Sequence, residues 1–281
     1  AEVLFQPADR DDLARFLAAR PAGLPVTVIG LGSNLLVRDG GVPGVVVRLG
    51  EPFAGVAGEG ADVLAGAGAS GLKVASFCRE AGLAGLEFLS GIPGTLGGAV
   101  RMNAGAFGAE MADRVVSVEA VDGSGQVRTL TADELGFSYR RSAAPEDLIF
   151  THVRLGAEPG RREEIEARLA EIRQAREEDQ PMRTATGGST FVNPPGKRAW
   201  ELIERAGCRG LTRGGAAVSE KHANFLINTG NGTAADLEGL GEEIRRRVLE
   251  ATGVILEWEI RRIGIPAAPR VRELGTREVD R

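Results

Sequence analysis

The stretch from Gly91 to Gly108 constrains this chain more than any other. It reads Gly-Ile-Pro-Gly-Thr-Leu-Gly-Gly-Ala-Val, then Arg-Met, then Asn-Ala-Gly-Ala-Phe-Gly, with six glycines. Inside a helix or strand each glycine costs about 0.5–1 kcal/mol relative to alanine. Six are too many for a regular element. A flexible surface loop fits poorly as well, because Ile92, Leu96, Val100 and Met102 stand where such loops carry Ser, Asp and Lys. The reading that remains is a backbone laid against a large planar or phosphorylated ligand.

A second glycine loop, Gly30-Leu31-Gly32-Ser33-Asn34, follows the β-rich run Val26–Ile29. Two glycines let successive N–H groups turn into one concavity, which suits phosphate oxygens. Residue 35 is Leu, so the dinucleotide fingerprint G-x-G-x-x-G is broken, and no Gly-Lys-Ser/Thr loop occurs. Taken alone, a tight strand–loop turn explains these residues equally well.

Glycine makes up 40 of 281 residues, yet no collagen-like period is present. The net charge of −5 argues against nucleic acid as a partner, since phosphate-binding surfaces need concentrated Lys and Arg. Two cysteines, Cys78 and Cys208, are too few for a disulfide framework or a zinc site. Both lie in helical patterns and read as buried thiols. With no leader pattern and no run of 18 apolar residues, the expectation is a cytoplasmic protein without membrane partners. A monomer is the expected state, and no metal is expected.

Apolar periodicity predicts helices over Ala8–Arg20, from Ser70 to Gly82, over Arg161–Glu178 and Ala199–Ala206, and from Thr233 to near Gly253. Strands are predicted at Val26–Ile29, Val45–Leu49, Leu148–Leu155, Phe225–Ile227 and Val254–Ile263. Val115–Val121 and Val127–Leu130 flank Asp122-Gly123-Ser124-Gly125 as a hairpin. The tail from Pro266 is polar and proline-bearing, so partial disorder is expected there.

Three further features can carry chemistry. Tyr139, the single tyrosine, precedes Arg140, whose fork suits a carboxylate; a solvated arginine pair with Arg141 is the plainer reading. Ser189 follows two glycines in Gly187–Pro194, where turn or capping duty competes with catalysis. No G-x-S-x-G elbow and no His–Asp pair accompanies it, which argues against a serine hydrolase. Strand alternation puts Glu257 and Glu259 on one face, solvated by default, although one facing a cleft is an acid/base candidate.

Together these motifs resemble the UDP-N-acetylenolpyruvoylglucosamine reductase family, in order and spacing, from about Val26 to Gly264. The combination of Ile-Pro-Gly-Thr-x-Gly-Gly with Gly-Ser-x-Phe-x-Asn-Pro is specific. The resemblance implies an α+β chain. It has the FAD-binding fold of the vanillyl-alcohol-oxidase type in two subdomains, plus a smaller α+β substrate-binding domain. The divisions implied are 1–50, 51–182 and 183–264, with a tail over 265–281.

It implies non-covalent FAD, with Gly30, Gly32, Ser33 and Asn34 at the diphosphate. Gly91, Pro93, Gly94, Thr95, Gly98, Asn103 and Gly105 line the path toward the flavin. NADPH is the implied reductant, and an enolpyruvyl sugar nucleotide the substrate reduced to a lactyl ether. Hydride comes from flavin N5, Arg140 and Glu259 stabilise the enolate, and Ser189 supplies the proton. Tyr139, Asn193 and Lys197 are the implied substrate contacts.

The 49 residues from Arg140 to Ser189 leave no room for the extra substrate-covering loop of one subclass, so the chain resembles the shorter one. Two departures stand out. The family's extra strand and Gly-Gly-Pro-Ala turn are not found before the first helix, and Phe107 stands where many members carry tyrosine. Two rivals remain: a flavin oxidase of the same fold, marked by fast turnover with oxygen, and a non-catalytic nucleotide-sugar-binding protein.

Overall fold

Local signals set the helix ends in the computed structural model, which describes residues 1–181 and 184–268. Asp9 accepts a hydrogen bond from Asp12 N at 2.7 Å and starts the Arg10–Ala19 helix, which stops before Pro21. Ser70 caps Gly71–Ala81 through Lys73 N, and Gly82, at φ +68°, closes it. Thr233 and Asp236 exchange hydrogen bonds at the start of Ala234–Thr252, and Gly253 ends it. The charged helix Arg162–Asp179 buries Ile165 and Ile172.

Strands group into three main sheets, with helices packed against them in an α+β arrangement. The first is parallel, in the order Val3–Phe5, Val45–Arg48, Val26–Ile29. Leu13 and Leu17 of the first helix pack on Val45 and Val47. The Val3–Phe5 strand was not expected, because three residues with two of them exposed carry no readable alternation.

The second sheet is antiparallel: Val127–Thr131, Val115–Val121, Ile149–Gly156, Asp62–Gly66, Val56–Glu59. The predicted hairpin forms its edge. Its inner face joins Val74, Leu89, Leu96 and Val100 in one core with Val63, Val118 and Val153. The glycine-rich stretch is therefore built onto this core. Within it, Leu96–Arg101 forms a short helix, contrary to the expectation of no regular element. Burial of Leu96, Ala99 and Val100 outweighs the cost of Gly97 and Gly98 there.

The third sheet is antiparallel, in the order Ala185–Ser189, Phe225–Asn228, Ala216–Val218, Thr212–Arg213. Ile203, Leu240, Ile244 and Leu226 fill the core between it and the helices Ala199–Arg205 and Ala234–Thr252. Cys208 lies just past the shorter of these helices rather than inside it. Both cysteines are buried, and burial aided by Glu87 pushes the Cys78 thiol up to about 12.

One connection ties the first glycine loop to the last sheet's domain. Leu35–Val37 pairs in parallel with Arg261–Ile263. Beside it, Arg38 grips Glu238 at 2.9 and 2.7 Å, and Arg262 joins Glu238 at 3.0 Å. The Asp39 carboxylate accepts from Ala234 N and Ala235 N, at the positive end of the long helix.

The expected strand over Val254–Ile263 is shorter than its pattern: only Arg261–Ile263 forms a ladder. Before it, the chain meets its neighbour through a single bridge between Phe191 and Trp258. The expected 182/183 boundary and the tail from residue 269 lie outside the described residues. Among the described residues no helix is long and apolar enough to cross a membrane.

Candidate active site

The two glycine loops are clasped together. Ser33 Oγ donates to Pro93 O at 2.9 Å. Gly94, at φ +108°, lies against Ser33, and any side chain there would overlap Ser33 Oγ. A side chain at Gly30 would overlap Thr95 Oγ1. These close approaches bring Gly30, Ser33, Pro93, Gly94 and Thr95 to one place.

Beside the clasp the backbone is open. A Cβ at Gly32 meets nothing within 4 Å, and one at Gly98 meets only Thr95 Oγ1, at 3.6 Å. Bare backbone is therefore free for a ligand to approach there.

Other expected cofactor contacts face the protein. Gly91 is buried against the Phe107 ring, with 2.6 Å between a Cβ there and the ring. Gly105 packs on Glu110 and Arg140. Asn103 has no exposed surface; its Nδ2 donates to Ser138 O at 3.0 Å and its Oδ1 accepts from Ala112 N at 2.9 Å. A buried amide satisfied in this way shapes the loops rather than reaching a ligand.

Asn103 thereby holds the turn that carries Arg140. Ser138 and Arg141 exchange two backbone hydrogen bonds, at 2.9 and 3.0 Å, leaving Tyr139 and Arg140 at the tip. Arg140 sits at φ +57°, a left-handed conformation that non-glycine residues rarely adopt. Its guanidinium lies 4.9 Å from the Tyr139 ring centroid and donates to Gly105 O at 3.2 Å. The solvated arginine pair is thus corrected: Arg141 is exposed, whereas Arg140 turns inward.

Arg140 turns toward Glu259. Arg140 Nε lies 3.5 Å from the Glu259 carboxylate, with 22% and 15% of the two side chains exposed. Burial pushes the Glu259 carboxyl up to about 7, with Arg140 pulling the other way. The shared face expected for Glu257 and Glu259 does not form. Glu257 is exposed and its carbonyl accepts from Val192 N, while Glu259 N donates to Thr190 O at 2.9 Å. Irregular backbone breaks the period of two.

Thr190 follows Ser189, so the same contact sets Ser189 beside Glu259 in the backbone. Ser189 ends its strand opposite Phe225, after a register shift. Gly188, at φ +80°, turns the chain so that a Cβ there would lie 3.7 Å from Ser33 O. Among the described residues the Ser189 hydroxyl has no hydrogen-bond partner, and neither histidine serves it. His152 pairs with Glu119 at 3.1 Å, and His222 Nδ1 accepts from Asn224 N.

Asn193 Oδ1 accepts from Ala199 N at 2.9 Å, and exposed Lys197 lies on the turn between. Among the described residues no hydrogen bond or ion pair joins these two to the Arg140–Glu259 pair. A groove of about 320 Å³ lies elsewhere, on the outer face of the five-stranded sheet. Its Arg10, Glu119, His152 and Arg154 are paired with acidic or basic neighbours, so it offers no free charge.

The FAD binding domain family matches residues 1–131, and the C-terminal domain of UDP-N-acetylenolpyruvoylglucosamine reductase matches residues 180–263. The reductase of that name from Paramagnetospirillum magneticum is 63% identical over 265 residues, 94% of this chain and 86% of the relative. This chain belongs to the UDP-N-acetylenolpyruvoylglucosamine reductase family. The member from Rhodospirillum rubrum is also 63% identical, over 94% of this chain and 85% of its own. The crystal structure of the Thermus caldophilus reductase superposes with a TM-score of 0.81 at 40% identity, covering 93% of this chain and 92% of that one. As a family member the chain is an FAD-dependent oxidoreductase.

Sequence reasoning about this reductase missed the Asn103–Ser138 and Asn34–Glu259 links. Both join residues far apart in sequence, and neither side chain has a periodic signature. The left-handed backbone at Asn103 and Phe107 had no glycine to announce it.

Proposed function

We propose that the chain reduces the enolpyruvyl ether of UDP-N-acetylenolpyruvoylglucosamine to the lactyl ether of UDP-N-acetylmuramate, with NADPH as reductant. The observation that carries this reading is the recessed Arg140–Glu259 pair, one residue from the strand end bearing Ser189 and adjoining the clasped glycine loops.

FAD, if bound and reduced by NADPH, would supply hydride to the vinyl carbon. Gly30, Gly32, Ser33, Gly94, Thr95 and Gly98 would hold it at the clasp. Arg140 binds the substrate carboxylate and stabilises the enolate that develops beside it; its position, fixed by Gly105 O and Tyr139, is prepared in advance. Ser189 donates the proton to the enolate carbon. A neutral hydroxyl is a weak acid, but an enolate carbon is basic enough to take its proton. Glu259, about half protonated near pH 7, donates a hydrogen bond to the same developing charge.

Asn193 keeps its amide N–H groups for a substrate phosphate while its Oδ1 holds the helix start, with Lys197 and Tyr139 at the rim. Residues 1–50 and 51–182 divide the cofactor between them, and 183–264 receives the sugar nucleotide.

A visible spectrum tests the reading. The purified protein is expected to be yellow, to bleach with NADPH, and to recover its colour when the enolpyruvyl sugar nucleotide is added without oxygen. A colourless protein that FAD cannot reconstitute sinks it, as does a bleached protein the sugar nucleotide leaves bleached.

A further inference from the structure

Asn34 closes the first glycine loop, yet its side chain points across the domain junction. Its Nδ2 donates to Glu259 O at 3.1 Å and lies 3.7 Å from Met102 Sδ. Its own carbonyl accepts from Arg261 N at 3.0 Å. One residue thus grips the chain on both sides of Ile260 and touches the second glycine stretch as well.

That grip matters because Glu259 has no sheet to hold it. The ladder begins only at Arg261. Among the described residues, two contacts from other elements fix the Glu259 backbone: its N–H on Thr190 O and its carbonyl on Asn34. The Thr190 contact ties it to the Ser189 strand. The Asn34 contact ties it to the cofactor loop.

We infer that Asn34 is a positioning residue: it sets Glu259 against Arg140 and registers that pair on the cofactor loop, instead of serving the cofactor diphosphate through its side chain. For catalysis the inference rests on the proposed reaction; for the placement of Glu259 it does not. The loop that clasps Pro93 and Thr95 and the amide that holds Glu259 meet in this one residue. The cofactor loop and the Arg140–Glu259 pair are thereby linked through Asn34.

The experiment compares Asn34→Ala and Asn34→Asp with wild type. Asn34→Asp keeps the shape but loses the donor and sets an acceptor against Glu259 O. Three readouts are used. Flavin fluorescence during titration of apoprotein gives the FAD dissociation constant. Anaerobic rapid mixing gives bleaching by NADPH and recolouring by the enolpyruvyl sugar nucleotide separately. Carbon-13 NMR of labelled glutamate, assigned with Glu259→Gln, follows the Glu259 carboxyl titration.

The expected result is nearly unchanged FAD affinity and bleaching, with recolouring slowed about 10- to 100-fold, as a misplaced group costs. The Glu259 titration midpoint moves by about half a pH unit or more in both variants. FAD affinity weakened by about tenfold or more, with recolouring normal at saturating FAD, overturns the inference and makes Asn34 a cofactor ligand. Equal loss in both half-reactions overturns it in favour of a general structural role. Should wild type never recolour, the proposed reaction fails; the NMR comparison still decides Asn34, and an unmoved Glu259 midpoint overturns it.

Discussion

Arg140 reaches Glu259 from a two-residue turn in which its own backbone is left-handed, and among the described residues it is the charged group that acts on that carboxyl's proton affinity. The pair is unequal. Burial raises Glu259 toward neutrality in spite of Arg140, so the guanidinium is not fully neutralised and can take a second carboxylate.

Replacing Arg140 should therefore damage one half-reaction. Arg140→Met is expected to slow recolouring of NADPH-reduced protein by the enolpyruvyl sugar nucleotide about 100- to 1,000-fold, the usual cost of an oxyanion-stabilising group. Bleaching should be nearly untouched. Arg140→Lys should fall between, since it keeps charge but loses the planar fork. Stopped-flow absorbance separates the two steps, and equal slowing of both would remove Arg140 from the substrate's charge.

The raised Glu259 carboxyl has a consequence for stability. Its protonated form is preferred in the fold, so its contribution is fully present below the unfolded value near 4.5 and is lost as pH rises through about 7. Glu259→Gln mimics the protonated form. In apoprotein it should match wild type near pH 4.5 and become more stable by up to ~3 kcal/mol well above pH 7. Thermal unfolding across that range tests it. A variant that is less stable at pH 9 than wild type would mean that the ionised pair with Arg140 stabilises the fold.

Much of the frame was legible before the structure. Ser70, Thr233, Gly82 and Gly253 ended helices where their side chains or bare Cα atoms demand it, because capping is a local interaction. The hairpin at residues 115–131 was legible for the same reason. The last strand was not. Its β-rich composition promised a ladder over Val254–Ile263, but partners exist only for Arg261–Ile263, and a strand needs its neighbour. Strand alternation alone therefore puts Glu259 on a solvated face by default, and only the family resemblance points it to the site. The clasp of Ser33 on Pro93 and the bracket of Asn103 on Ser138 are contacts across 60 and 35 residues, which no local pattern encodes.

Ser189 invites a narrower test. Its hydroxyl lacks a hydrogen-bond partner among the described residues, and His152 and His222 bond to Glu119 and Asn224 instead. That suits a proton donor to a strongly basic carbon and does not suit a nucleophile. Ser189→Ala should slow recolouring about 100- to 10,000-fold, within the range for a lost general acid, and leave bleaching intact. Ser189→Cys should recover part of the rate, since a thiol is a stronger acid. The solvent isotope effect on recolouring should also fall in Ser189→Ala. An alanine variant as fast as wild type would pass the proton to another group.

The clasp itself can be tested through Gly30. An alanine Cβ there would collide with Thr95 Oγ1, and Thr95 is buried, so its side chain has little room to turn away. Relief must come from the loops parting, which pulls Pro93 and Gly94 off Ser33. Gly30→Ala should weaken FAD binding about tenfold or more, with circular dichroism checking that the variant stays folded. Thr95→Ala removes the colliding oxygen. The double variant should therefore bind FAD more tightly than Gly30→Ala alone, giving a favourable coupling of about 0.5–3 kcal/mol in a double-mutant cycle. FAD titration of the four proteins measures it. Strict additivity would show that Gly30 is required by the cofactor directly and not by the closeness of the two loops.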